Sequence, residues 1–216
     1  YIDENDVYSD VIQERWNEMS DDEKFELASG YEIDAVSEGS LEHLGIDDVA
    51  TFFRAPDDTQ IQIKDNVVEI RDSEGTNITR TFHDDYDGKW IKNDLFFLSA
   101  SNRGEGAAMF AQYVHNAKEA GFEFFTTDAA KSTGRMNGYY TWALFGYDGD
   151  LPHRVADQAE EYFDDVTTVQ DLMNQPGGRD WWFVNGRGIS GAKFDLADDS
   201  VSMRTLTRYL NEKRRK

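Results

Sequence analysis

Residues 89–149 read KWIKNDLFFLSASNRGEGAAMFAQYVHNAKEAGFEFFTTDAAKSTGRMNGYYTWALFGYDG, and this stretch decides the fold. Trp90–Ala100 predicts a long strand, and its nearly continuous apolar run Leu95–Leu98 predicts a central strand that is buried on both faces. A glycine-bearing loop follows, and apolar residues then recur at helical spacing up to Gly121, which predicts a helix with a glycine C-cap. A second strand and a second helix, which ends at Gly146, complete the unit.

The loop Ser101–Ala108 has the composition of an anion-binding site. At a strand-to-helix junction several backbone N–H groups lack intrahelical partners, and the helix dipole adds roughly half a positive charge. Gly104 and Gly106 remove side chains that would block close approach of a ligand to the backbone, and Arg103 adds a cation suited to phosphate. We therefore expect a pyrophosphate cradle. The alternative is that the two glycines only make the turn.

The chain before this unit changes from a helical to a β pattern. Residues 1–56 show helical spacing of apolar residues, with a capping-box signature at Ser20 and Glu23. From residue 60 onward, short β-rich runs alternate with polar turns, which predicts an antiparallel meander. The runs are Ile61–Ile63, Val67–Ile70, Thr76–Phe82 and Trp90–Ala100.

Residues 151–216 form the less regular end of the sequence. They predict two helices, the second amphipathic around Leu172, and then a lid or core patch at Trp181-Trp182 followed by a turn. A strand is expected at Ala192–Leu196. A final helix is expected after Ser200, which is a suitable N-cap.

The composition is that of a folded, strongly acidic protein. Of 216 residues, 43 are Asp or Glu and 22 are Lys or Arg, and the net charge is −21. Such a surface repels phosphates and anionic lipid, so we expect neither nucleic acid nor a membrane as a partner. The charge excess favours a high-salt cytoplasm, as in a halophilic cell or virus. The alternative is an ordinary acidic protein that keeps itself in solution.

The residue types present also bear on cysteine-based sites and on a calcium site. The chain has no cysteine, which excludes disulfides, thiolate zinc sites and a cysteine nucleophile. The segment His83–Gly88 resembles a calcium loop in its acidic spacing, but its flanks predict strands and not helices. We expect an acidic hairpin there and no metal site. No run of 18 apolar residues and no basic-then-apolar leader is present, so neither a membrane span nor a signal peptide is expected.

Residues 60–150 resemble the GNAT N-acetyltransferase superfamily. The family's acetyl-CoA motif is Arg or Gln, two residues, Gly, one residue, and Gly or Ala, which matches Arg103–Ala108 here. The strand before this motif, the helix and strand after it, and the helix that begins at Asn137 stand in the family's order. The resemblance implies a GNAT-like fold and acetyl-CoA as a co-substrate.

The resemblance also implies roles for individual residues. Backbone N–H groups of the motif would bind the CoA diphosphate, the end of the central strand would pair with the pantetheine arm and supply an oxyanion contact, and Asn137 would approach the pantetheine. The motif residues are Arg103, Gly104, Glu105, Gly106, Ala107 and Ala108, and the strand residues are Leu98, Ser99 and Ala100.

The acid that protonates the departing thiolate is less directly implied. Family members often place a tyrosine where this chain has Trp142, so Tyr139 and Tyr140 are the candidate acids. All three aromatic residues have an alternative interpretation as core. Glu69 and Asp128 are candidate bases, and each is also readily interpreted as a surface carboxylate.

The expected architecture is an α+β fold with α/β-type layers. A mixed, mostly antiparallel central sheet is flanked by helices, with helical extensions at both ends. The predicted organisation is a helical N-terminal extension at residues 1–56, a GNAT-like acyl-CoA-binding core at residues 57–150, and C-terminal helices and a strand at residues 151–216 that complete the same domain.

Two functions follow from the resemblance. The first is an acyl-CoA-dependent N-acyltransferase, cytoplasmic, that transfers an acetyl group to a small amine or to a basic protein tail. The second is a catalytically inactive GNAT-like binding or structural module in a homo-oligomer or a larger assembly, with a virion as the alternative location.

Overall fold

The computed structural model describes residues 41–46, 49–55, 59–98, 106–131 and 138–214. The chain divides into two compact units, Tyr1–Phe122 and Glu123–Lys216. The division falls inside residues 57–150, which the sequence predicts as one core. The described ranges contain several helices and several strands, which confirms the α+β class. The GNAT-like arrangement of these elements stays a prediction. The predicted helices of residues 1–40 lie outside the described residues.

The elements are numbered in chain order. In the first unit they are α1 (Val49–Phe53), β1 (Gln60–Lys64), β2 (Val67–Arg71), β3 (Asn77–Asp85), β4 (Gly88–Phe97) and α2 (Gly106–Glu119), after a short 3-10 turn at Glu42–Leu44. In the second unit they are β5 (Phe124–Ala129), α3 (Gly138–Phe145), α4 (His153–Ala159), α5 (Val169–Met173), α6 (Gly178–Asn185), β6 (Ile189–Asp195) and α7 (Val201–Arg214).

The predicted meander of the first unit is confirmed. Strands β1 to β4 pair successively and antiparallel, with Ile70 opposite Ile78 and Phe82 opposite Ile91. Two-residue turns join β1 to β2 and β3 to β4. Asp65 in the first of them has a φ of 54°, a left-handed conformation that Asp tolerates better than most residues.

One face of this meander is the core of the first unit. Alternate residues of β2 and β3 are buried, as period-two patterning requires when one face packs on a core. An aromatic cluster from α1, β3, α2 and the chain after α2 covers that face, with ring centroids 5.2–6.3 Å apart. Its members are Phe52, Phe53, Phe82, Tyr113 and Phe122.

The end of β4 differs from its prediction. Leu95–Leu98 are half-buried, whereas the apolar run predicts burial on both faces. The pairing explains the difference, because Thr79 lies opposite Leu95 while Arg80 lies opposite Asn93. Asp94 is therefore an extra residue in β4, a β-bulge, which bends the strand and interrupts its alternation, while pairing with β3 resumes at Leu95 and continues to Phe97.

Arg80 fixes the bulge from inside the first unit. Its side chain is 1% exposed. One guanidinium nitrogen donates to the carbonyl oxygen of Thr79 at 2.9 Å and to that of Leu95 at 2.5 Å. The guanidinium carbon lies 5.3 Å from the centroid of the Phe96 ring and 5.5 Å from that of the Tyr113 ring. One side chain thus connects β3, the irregular end of β4 and α2.

The second unit is built on the antiparallel pair β5–β6, from Phe124 opposite Asp195 to Ala129 opposite Ile189. The strand predicted at Ala192–Leu196 therefore begins three residues earlier, because its first residues pair with the end of β5. Helix α7 begins as predicted, with the Ser200 hydroxyl accepting a hydrogen bond from the backbone N–H of Met203.

Helices α3, α5 and α7 are joined by one buried amide. Gln170 on α5 is 1% exposed. Its side-chain nitrogen donates to the carbonyls of Ala143 and Tyr147, at 2.7 and 2.9 Å, and its oxygen accepts from the Thr205 hydroxyl at 3.2 Å. Nearby, a Cβ on Gly146 would lie 2.5 Å from the carbonyl oxygen of Ser202, so the end of α3 approaches α7 at a distance that only glycine permits.

The sequence misses helix α6. Trp182 is fully buried and its indole nitrogen donates to the carbonyl of Tyr139 at 3.2 Å. Trp181 packs on Tyr162 and Phe163. The predicted core patch is thus correct for Trp182. Trp181 and Trp182 lie in helix α6, which the sequence does not predict because glycines at both of its ends indicate loops.

We expect Arg80→Met to lower the free energy of unfolding by about 2–4 kcal/mol, because it leaves the carbonyls of Thr79 and Leu95 without the guanidinium. Arg71→Met is the matched control. Arg71 pairs with Glu69 at 2.8 Å but its side chain is 30% exposed, so its loss should cost about 1 kcal/mol or less. Urea denaturation at one fixed salt concentration measures both. Equal costs would contradict a central role for Arg80.

Candidate functional site

The predicted site residues divide between described and undescribed parts of the chain. The described ones are Leu98, Gly106, Ala107, Ala108, Tyr139 and Tyr140. Those outside the described residues are Ser99, Ala100, Arg103, Glu105, Gly104 and Asn137. The structure therefore bears on the two sides of the predicted phosphate loop and on the candidate acids.

The two ends of the predicted loop lie in contact. Gly106 is the first residue of α2 and is buried. A Cβ built on it would lie 3.2 Å from Cδ1 of Leu98 and 3.6 Å from Cε1 of Phe96. The start of the helix thus rests directly on the end of β4, and a side chain larger than hydrogen would press on both residues.

The start of helix α2 is the described part of the predicted anion site. The helix is 14 residues long, its first turn contains no acidic residue, and Lys118 lies in its last turn. The first N–H groups of any helix have no partner within it, and the dipole makes that end partly positive. Gly106, Ala107 and Ala108 give this end backbone groups without bulky side chains.

The bulge at Asp94 determines which side chains at the end of β4 point outward. The Asp94 carboxylate points outward, where it accepts a hydrogen bond from the Thr81 hydroxyl at 2.7 Å and lies 3.5 Å from the Lys92 ammonium. Beyond it, Leu95–Leu98 are half-buried. Bulges redirect side chains and end strand pairing, and they are frequent beside functional sites.

Tyr113 lies beneath this region and stays neutral. Burial raises the pKa of its phenol strongly, against the opposing effect of the Arg80 charge. The Tyr113 side chain is therefore uncharged next to the guanidinium. Arg80 is the charged partner of the two.

The two candidate acids differ in what their hydroxyl groups and rings contact. Tyr139 is 4% exposed, and its hydroxyl donates to the carbonyl oxygen of Phe183 at 2.6 Å. Tyr140 is half-buried, with its ring centroid 5.0 Å from that of Phe183 in an edge-to-face arrangement. Because successive residues of a helix point about 100° apart, α3 turns only one of the two phenols into the core.

Trp142 is a core residue. Its ring lies 5.9 Å from Phe145 and 4.9 Å from Tyr147, both edge to face. The interpretation of this aromatic cluster as core is therefore confirmed for Trp142 and for Tyr139.

The candidate bases both have local structural partners. Glu69 forms its ion pair with Arg71. Asp128 accepts hydrogen bonds from the Ser190 hydroxyl at 2.9 Å and from the backbone N–H of Gly191 at 3.0 Å. Gly191 has a φ of 62°, and the β5–β6 register shifts beside it, so Asp128 stabilises an irregularity in β6.

The acidic turn after His83 is a hairpin, as predicted. The His83 and Trp90 rings stack with centroids 3.6 Å apart, and the Asp85 carboxylate accepts from the backbone N–H of Asp87 at 3.0 Å. Among the residues that the structure describes, no group of three His, Asp or Glu side chains could hold a metal ion. No helix in the same ranges is long and apolar enough to cross a membrane.

One cluster in the second unit carries no signal in the sequence. The Lys131 ammonium donates to the carbonyls of Gly186 at 2.8 Å and Val184 at 3.4 Å, and it lies 4.4 Å from the centroid of the Tyr139 ring. Burial and then the Arg187 charge lower the pKa of Lys131. The two carbonyl contacts join residues 53 and 55 positions apart in sequence, and neither periodicity nor a motif predicts them.

No protein-family model matches the chain, and neither a curated protein nor a solved structure matches it. The features that bear on function are those of the chain itself. They are the contact between α2 and the end of β4, the bulge at Asp94, and the tyrosine pair of α3.

We expect Tyr139→Phe to lower the free energy of unfolding by about 1–3 kcal/mol, because it removes a hydrogen bond to a partly buried carbonyl. Tyr140→Phe is the matched change on the neighbouring, half-buried residue and should cost less than Tyr139→Phe, since its ring contact with Phe183 is kept. Thermal or urea unfolding distinguishes them. A larger cost for Tyr140→Phe would contradict this assignment of the two hydroxyls.

Proposed function

We propose that the chain is an acyl-CoA-dependent N-acyltransferase, with acetyl-CoA as the acyl donor. The acceptor nitrogen attacks the thioester carbonyl, the new C–N bond forms, and the C–S bond breaks. The nitrogen loses one proton and the departing thiolate gains one. The acceptor is an amine, either a small molecule or a basic protein tail.

The contact of Gly106 with Leu98 and Phe96 is the observation that carries the proposal. It brings the positive end of a 14-residue helix against the Leu98 and Phe96 side chains at the end of β4, with no side chain contributed by Gly106 itself. A diphosphate held by the N–H groups of residues 103–108 would extend its pantetheine arm along Leu98, Ser99 and Ala100, and these strand residues would offer an N–H to the thioester oxygen. A GNAT-like sheet is part of the same proposal.

The bulge and Arg80 support this use of the strand end. A bulge bends its strand and leaves the extra residue outside the ladder, and here the strand beyond it, which pairs with β3 through Phe97, is held by a buried guanidinium. CoA is anionic and the chain carries −21, so the long-range field opposes binding. We infer that local cations, Arg80 within the core and Arg103 in the loop, offset that field, and that added salt weakens the repulsion.

Tyr140 is the proposed acid. Tyr139 is engaged with the carbonyl of Phe183, and a phenol held in that way is a poor proton donor to another group. Asn137 is proposed to approach the pantetheine, as the resemblance implies.

A second candidate function is a binding module without catalysis. Trp142 stands where the family often has its acid, and Tyr139 lies about one helical turn before it. Both side chains are buried, which favours a module without catalysis. Binding of acetyl-CoA without turnover would support this second function.

We expect acetyl-CoA at 100 times its Kd to raise the Tm by roughly 5–10 °C. Gly106→Leu should abolish the shift, because the added side chain must displace Leu98 and Phe96. Gln112→Leu, at an exposed position of the same helix, should retain it. Thermal shift and calorimetry at both low and multimolar salt make the measurement. Absence of binding at both salt concentrations would contradict the proposal.

We expect Tyr140→Phe to lower kcat by about 100-fold without changing the Kd for acetyl-CoA, since general acid catalysis contributes factors of roughly 10² to 10⁴. Tyr162→Phe is the control, because Tyr162 is 68% exposed and packs on Trp181. Steady-state kinetics and calorimetry with the same preparations separate turnover from binding. An unchanged kcat would remove Tyr140 from the mechanism.

A further inference from the structure

An apolar surface next to a cation lies around the C-terminal end of α6. Phe183 is 43% and Val184 69% exposed, and they are the two adjacent residues among the exposed large apolar side chains of the described chain. The Tyr140 ring lies edge to face against Phe183. Single exposed apolar residues need no explanation, whereas these adjacent residues form a small contiguous apolar surface that a ligand can cover.

Two cations border this surface. Lys131 donates to the carbonyls of Val184 and Gly186, and Arg187 is the next residue along the chain. The charge of Arg187 contributes to lowering the pKa of Lys131, so the two cations are within electrostatic reach of each other. The acidic residue of α6, Asp180, lies in its first turn at the opposite end of the helix.

Lys131 and Arg187 differ in their contacts. Lys131 is occupied with two carbonyl oxygens and the Tyr139 ring, which fixes the end of α6. Arg187 is exposed, and within the described parts of the chain its guanidinium makes no hydrogen bond. A fixed cation in this position suits a carboxylate, which a guanidinium binds through two parallel hydrogen bonds.

We propose that Tyr140, Phe183, Val184 and Arg187 form the acceptor surface, and that the acceptor is an amine that also carries an apolar body and a carboxylate. This inference rests on the proposed function and narrows its substrate class. The apolar body packs on Phe183 and Val184, and the carboxylate pairs with Arg187. The cations disfavour an acceptor whose charge is positive only.

The test uses two probes with the same ring and opposite charge, 3-phenylpropanoate and phenethylamine, without acyl-CoA. Ligand-observed NMR titration of the full chain at one fixed salt concentration gives each Kd. The carboxylate probe should bind at least fivefold more tightly than the amine. Equal binding, or tighter binding of the amine, would overturn the inference.

Two variants locate the binding. Arg187→Gln should weaken binding of 3-phenylpropanoate about tenfold, as expected for one charge-assisted contact, and should not weaken that of phenethylamine, which loses a repelling charge. Arg154→Gln, at an exposed position on α4, is the matched control and should change neither. Phe183→Ser should weaken both probes. A carboxylate affinity that Arg187→Gln leaves intact would overturn the inference.

These outcomes are independent of acetyl-CoA. If acetyl-CoA binds but the carboxylate probe shows no preference, the acceptor assignment fails and the proposed activity stands. If the probe binds through Arg187 but acetyl-CoA does not bind, the surface stands and the activity fails.

Discussion

The buried guanidinium of Arg80 is the interaction on which the first unit depends. A charge taken out of water is costly, and here two carbonyl oxygens and two aromatic rings around the guanidinium offset part of that cost. The carbonyl of Leu95, which accepts one of these hydrogen bonds, comes directly after the inserted Asp94. The buried cation thus holds β4 at its bulge, and the strand end that α2 contacts follows directly.

The sequence predicts those parts of the fold in which local pattern and tertiary role agree. The meander follows from period-two alternation and polar turns, and the start of α7 follows from the Ser200 cap. The bulge at Asp94 was not predictable, because it depends on how two strands pair. The same long-range dependence explains why the run Leu95–Leu98 suggests full burial although its residues are half-buried.

The candidate site was predictable to a similar degree. The glycines before and at the start of α2 predicted close approach of a ligand to the backbone, and that stays a prediction; what the structure adds is the close contact of Gly106 with the Leu98 and Phe96 side chains. Spacing alone left the choice between Tyr139 and Tyr140 open, since both are compatible with one short helix. Helix α6, with glycines at both ends, supplies the carbonyl that distinguishes them, and its contact with α3 joins residues 44 positions apart.

The approach of Gly146 to Ser202 constrains how this sequence can change over evolution. The clash that any side chain would make at position 146 is with a backbone oxygen, so no choice of residue at position 202 relieves it. Position 146 is thus closed to any residue with a side chain, whatever residue stands at position 202. We therefore expect distant relatives of the chain to keep a glycine at the position of Gly146, after α3, even where their surface residues differ.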